Sequence, residues 1–139
     1  MRDTPGAMSE ENVQVVRRSW EGSLAADWPA VLATLDPNAE IRDFDVPDAD
    51  VGRGHDGFFA WLERWNDAWG SWSVEDLEIR GVGDDRAIAL FRMIARGDHS
   101  GLELERRDAI VYRLDGGRIV YLAYYNDQDQ AFEALRRAA

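Results

Sequence analysis

The feature that most limits the fold is a change of hydrophobic period near Gly70. Before it, Phe58, Trp61, Leu62, Trp65 and Trp69 recur at i, i+3, i+4, i+7 and i+11, a spacing that lines up side chains on one helix face. After it, residues 73–82, 86–96, 102–114 and 118–126 alternate with a period of about two. Gly-Asp-Asp, Gly-Asp-His-Ser-Gly and Asp-Gly-Gly turn signals separate them, so the four runs read as an antiparallel meander. Upstream, Ser9 is placed to cap a helix whose apolar stripe is Val13, Val16 and Trp20. A second short helix carries Trp28, Val31, Leu32 and Leu35, with Pro29 in its first turn. Asp36-Pro37-Asn38 turns the chain into a strand at 39–44, a Pro/Asp/Gly-rich loop runs to about Gly54, and 129–137 predicts a closing helix. Helices followed by strands place the helices on one face of one sheet, the α+β layer arrangement. Residues 1–8 read as a flexible leader and 9–139 as a single domain.

Composition removes several functional classes. A 45 % hydrophobic content suits a packed core, and 139 residues are enough to bury one. The net charge of −11, with no offsetting basic run, repels phosphate backbones and anionic bilayers, so neither nucleic acid nor membrane is expected as a partner. No apolar stretch nears the roughly 20 residues of a membrane span, and the opening residues hold no secretory signal. The cytoplasm is the expected compartment. There is no cysteine, and all 16 basic residues are arginine, which excludes thiolate and lysine-based chemistry. Two histidines, His55 and His99, lie in separate Gly/Asp turns, so neither a metal nor a cofactor is expected.

The stretches SEENVQVVRRSWEG, LATLDPNAEIRD, GRGHDGFFAWLERW, RGDHSG and LDGGRIVYLAYYNDQDQAFEAL occur in an order and spacing that resembles the SnoaL-like polyketide cyclases. These belong to the nuclear transport factor 2-like superfamily. The resemblance implies a cone-shaped, curved antiparallel sheet wrapped around N-terminal helices, a cystatin-like α+β barrel with one hydrophobic pocket. It also implies a homodimer formed through the outer face of the sheet.

Asp43 ends the first strand after Ile41 and matches the general base of ketosteroid isomerase-like members. A carboxylate facing an apolar cavity has its charged form desolvated and becomes a better base near neutrality. The plain alternative is an exposed strand-end acid. Arg92 interrupts the run AIALFRMIA; buried, it needs Asp43 or Asp108 as partner, and it either polarises a substrate carbonyl or forms a structural ion pair. Strand alternation puts Leu122, Tyr124 and Asn126 on one face, which in this resemblance lines the pocket. Tyr124 and Asn126 then either hold an oxyanion or form the polar end of an apolar wall. The chain departs from the catalytic patterns: Tyr124 stands where cyclases and epoxide hydrolases carry an aspartate, Ile110 where isomerases carry an acid, and Ser19 where they carry a tyrosine. Trp61, Trp65 and Trp69 read first as core, while Trp20 with one of them could floor a cavity for a flat ligand; Asp108, Ile110 and Tyr112 are further candidates for contact with that ligand. Asp127 is placed to cap the last helix.

Two functions are therefore expected to compete. One is a cofactor-independent isomerase, cyclase or lyase with catalytic Asp43, Arg92 and Tyr124 acting on a small hydrophobic carbonyl compound. The other is a non-catalytic binder of a hydrophobic ligand in the same cone. A third reading makes the outer side of the final strand, Tyr121, Ala123 and Tyr125, a scaffold surface.

Overall fold

The computed structural model describes residues 5–46, 50–96 and 102–137. In chain order it contains α1 (Pro5–Leu24), α2 (Trp28–Thr34), β1 (Leu35–Asp43), β2 (Gly52–Arg53), α3 (Gly54–Ala68), β3 (Ser71–Val82), β4 (Arg86–Arg96), β5 (Glu103–Asp115), β6 (Arg118–Tyr125) and α4 (Gln128–Arg137). The strands form one curved, unclosed six-stranded sheet in the order β2-β1-β6-β5-β4-β3. β3 to β6 pair antiparallel in succession, the meander that the alternation predicts. β1 joins it by running parallel to β6, with Ile41 opposite Leu122 and Asp43 opposite Tyr124. That pairing carries the end of the first strand to the end of the last.

Helices cover the concave face of the sheet and part of its outer face. On the concave side α1 packs against β3 and β4, and α3 against β1. The inward positions Ala89, Phe91 and Met93 of β4 and Ile110 and Tyr112 of β5 join Val16, Trp61 and Trp65 in the main core. On the other side Ile88 and Leu90 of β4 and Ala109 and Val111 of β5 meet Ala131 and Leu135 of α4. The middle of β4 is continuously apolar for that reason, since neither of its faces meets water there.

Two glycines fix how the helices sit. A Cβ on Gly81 would lie 2.6 Å from the Ser9 carbonyl oxygen, so the bare Cα lets α1 rest directly on β3. Gly54 opens α3 at φ +66, and a Cβ there would lie 2.2 Å from the Pro37 carbonyl oxygen. Ser9 is thus inside α1 rather than its cap, because the helix begins at Pro5 and takes in part of the expected leader. Residues 1–4 of that leader, and residues 97–101 of the Gly-Asp-His-Ser-Gly turn with His99, lie outside the described residues. Leu35 starts β1 instead of ending α2, and Trp69 leaves α3 in an extended conformation. Asp127 caps α4 as its position suggests, its Oδ1 accepting from the backbone N–H of Asp129 at 2.8 Å and of Gln130 at 3.1 Å.

Candidate functional site

A cavity, partly open to solvent, lies between α1, α3 and the concave sheet face. It measures about 70 Å³ as space open to the centre of a water molecule, against the roughly 10–15 Å³ that one water needs. Ser19, Trp20 and Ser23 project from the last turns of α1. Trp61 and Trp65, one helical turn apart, project from α3. Strand alternation supplies the facing wall: Ile110 and Tyr112 from β5, Leu122 and Tyr124 from β6. Eight of the sixteen lining side chains are aromatic and none is charged. Trp65 and Tyr124 sit with ring centroids 5.1 Å apart, and Trp20 meets Phe91 edge-on at 4.8 Å. The Trp20 indole N–H is buried beside the Tyr112 hydroxyl and makes no close hydrogen bond. Burial also pushes the Tyr112 phenol up from its ordinary pKa.

Charge gathers one contact further out, at the paired ends of β1, β5 and β6. Asp108 is fully buried, at 0 % exposure. Its two carboxylate oxygens accept from Arg106 Nε at 2.8 Å and Nη2 at 2.9 Å, a bidentate pair, and the Tyr124 hydroxyl also donates to Oδ2. Arg106 reaches Asp45 Oδ1 at 3.1 Å, and Asn126 Nδ2 donates to the same oxygen at 2.9 Å. Burial works against the Arg106 charge, but the hydrogen bond and charge of Asp108, with Asp45 behind them, outweigh it and hold the guanidinium above its ordinary value. Burial first, and then the neighbouring Asp108 charge, raises the Tyr124 phenol well above its usual value; Arg106 acts in the opposite sense.

Asp43 lies beside this cluster. Its Oδ2 accepts from Trp61 Nε1 at 2.9 Å, and its Oδ1 from the Asp45 backbone N–H, also at 2.9 Å. Desolvation raises its pKa above 3.8, while those two hydrogen bonds pull the other way and lose. Asp43 is half-buried, so the exposed strand-end alternative does not describe it.

The structure therefore brings Trp20, Trp61, Trp65, Ile110, Tyr112, Leu122 and Tyr124 onto one cavity wall. It sets Asp43, Asp108 and Asn126 behind that wall, each bonded to a neighbour. Arg92 is elsewhere, and its expected role in the pocket is corrected. It follows Ile88 and Leu90 on the outer face of β4, beyond the reach of α4, and pairs with Glu75, with Asp76 at 3.3 Å and with Glu105 at 2.6 Å. Its expected partner Asp108 belongs to Arg106, a residue that the apolar-run argument passes over. Arg106 and Asp108 stand two apart on one strand and so share a face, and that period-two spacing was the available signal. Tyr124 lines the cavity as expected from strand alternation, and its hydroxyl donates to Asp108. Among the described residues no group of three metal-ligating side chains occurs, and no helix is long and apolar enough to cross a membrane.

The helix-filled, curved sheet with an apolar cavity has a nuclear transport factor 2-like fold. A protein of that fold from Burkholderia thailandensis is 24% identical over 89% of this chain and 96% of its own, with a TM-score of 0.73. TerC, crystallised with polyporic acid, is 16% identical over 88% and 96%, with a TM-score of 0.72. A candidate polyketide cyclase from Xanthomonas campestris is 16% identical over 91% and 97%, with a TM-score of 0.69. The family model for the SnoaL-like domain matches residues 16–122, and the chain belongs to that family. No curated protein matches the chain.

Proposed function

We propose that this chain binds a flat, mainly apolar small molecule inside the cone. The observation that carries the reading is the wall itself: half of its lining side chains are aromatic, and the charged groups nearby are partnered with one another instead of facing the cavity. Rigid aromatic surfaces around a pocket favour planar apolar ligands, with few polar groups left to orient them. The partly buried outer flank around Arg42 of β1 and Tyr121 of β6 offers a surface for the homodimer expected from the resemblance.

Asp43 supports a second, catalytic reading. Its desolvated carboxylate is bonded to Trp61, whose ring forms part of the cavity wall. A ligand ketone seated against Trp61 would place an α-carbon proton near this base, giving cofactor-independent isomerase, cyclase or lyase chemistry. Titration with 2-tetralone, a flat enolisable ketone, tests both readings. The expected result is saturable quenching of tryptophan fluorescence that disappears in Met93→Trp, a variant with the cavity filled. Quenching that is the same in both proteins sinks the cavity reading. Exchange of the ketone's α-protons into deuterated water, followed by NMR, addresses Asp43. Exchange needs ionised Asp43, so the rate should climb with pH through a value above 3.8 and then level off. Asp43→Asn should slow it by about 10²-fold or more. Equal rates in the two proteins leave a binder without catalysis.

A further inference from the structure

We infer that the ligand enters between the end of α1 and the start of β3 and lies ring-first, so that the cavity takes flat molecules whose charged group is confined to one end. The inference rests on the cavity reading above and adds an orientation and a ligand class to it. Most of the side chains that line the cavity are buried, but five are not. Ser23 and Leu24 end α1, Leu62 lies midway along α3, and Trp72 and Val74 stand two apart on β3 and share a face. A cavity can open only where its lining side chains also meet water, so these five mark the mouth. Leu24 is 56 % exposed there.

Deeper in, the wall has nothing to receive a charge. The Trp61 indole N–H is turned to Asp43 Oδ2 at 2.9 Å, and the Tyr124 hydroxyl is turned to Asp108. Arg106 holds Asp108 and reaches Asp45, so the charges at the ends of β1, β5 and β6 answer one another. Among the described residues no charged side chain lines the cavity, and Ser19, Trp20 and Tyr112 bring only neutral groups to it. An ionised group carried to that depth would lose its water and meet no counter-charge, which is very costly. Left at the mouth, the same group stays hydrated while the ring system packs against Trp65, Phe91 and Met93. Trp72 joins the two regions. Its ring meets buried Trp65 edge-on, with centroids 6.3 Å apart, while its indole N–H donates to the exposed Asn66 Oδ1 at 2.8 Å.

Calorimetric titration of the full chain compares uncharged 2-tetralone with 2-naphthoate, 2-(aminomethyl)naphthalene and 2,6-naphthalenedicarboxylate. The two singly charged naphthalenes should bind. The dicarboxylate, which must bury one charge, should bind about tenfold more weakly than 2-naphthoate, or worse. Leu24→Arg sets a positive charge at the mouth; it should tighten 2-naphthoate and weaken the amine by about two- to fivefold each, and leave 2-tetralone unchanged. Phe44→Arg makes the same charge change beyond the end of β1, beside Asp43, and should shift none of them at 0.1 M salt, where charges more than about 10 Å apart are screened. Phe44 is 49 % exposed, so both substitutions fall on exposed side chains and leave the core intact. A shift with Phe44→Arg, no shift with either variant, or a dicarboxylate that binds as tightly as 2-naphthoate overturns the inference. So does exclusion of both singly charged compounds. If 2-tetralone binds in those cases, the cavity reading stands. Failure of 2-tetralone and of all three naphthalenes removes the cavity reading, and this inference with it.

Discussion

Arg106→Ala would leave the Asp108 carboxylate buried beside a phenol with no cation, and an uncompensated buried charge is among the costliest single changes. A loss of about 3–5 kcal/mol in denaturant unfolding is expected. Arg106→Met combined with Asp108→Leu should recover most of that loss, because the pair's attraction mainly offsets its own desolvation. If the double variant is as unstable as the single one, the cluster is stabilising in its own right. At this scale the sequence was half legible. Asp108 stood out because it interrupts an apolar strand, and Asp43 because it ends one. The apolar run around Arg92 suggests burial, while which face a strand residue occupies depends on what covers that face. α4 covers Ile88 and Leu90 but not Arg92, and no local pattern in β4 records where a distant helix stops.

Among the elements, α4 is the one whose removal has the clearest consequence. Its Ala131 and Leu135 close a second core on the outer sheet face, and the Arg86 guanidinium donates to the Leu135 carbonyl oxygen at 2.6 Å. A chain ending at Asn126 would bare Ile88, Leu90, Ala109 and Val111 together. It is expected to form larger, concentration-dependent assemblies in sedimentation velocity than the full chain does. Identical sedimentation would mean that α4 does not seal this face in solution. The helices and the four long strands were legible because each keeps its own period over two turns or more. β2 was not, being two residues in a Pro/Asp/Gly-rich loop whose strand character comes only from pairing with Glu40 and Ile41. The parallel pairing of β1 with β6 was also unreadable, since it joins segments about eighty residues apart and leaves no local trace.

For the whole molecule, the net charge of −11 outlasts all the ion pairs on the outer face. Repulsion among the surplus carboxylates opposes the compact state, and salt screens it over roughly 10 Å at 0.1 M. The melting temperature should therefore rise when sodium chloride is raised from about 0.01 M to about 0.3 M, where the Debye length shrinks from 30 Å to well under 10 Å. A fall would mean that the surface pairs, such as Arg92 with Glu105, outweigh the bulk repulsion. The overall architecture was the most legible level of all, because the switch from helical to strand period leaves few ways to stack the layers. The cavity could be inferred from the fold but not its chemistry, which depends on which polar atoms find each other across β1, β5 and β6.

The placement of β6 also bears on how the protein is made. β6 is the last strand to be synthesised, yet it lies in the interior of the sheet, between β1 and β5. Until it leaves the ribosome, those two strands have no partner along their facing edges, and the cavity lacks the wall that carries Leu122 and Tyr124. A nascent chain in this state exposes unpaired strand edges and an open apolar bowl, the features that recruit chaperones or neighbouring chains. Inserting this one eight-residue strand joins the halves of the sheet, supplies the missing cavity wall and brings the Tyr124 hydroxyl to Asp108.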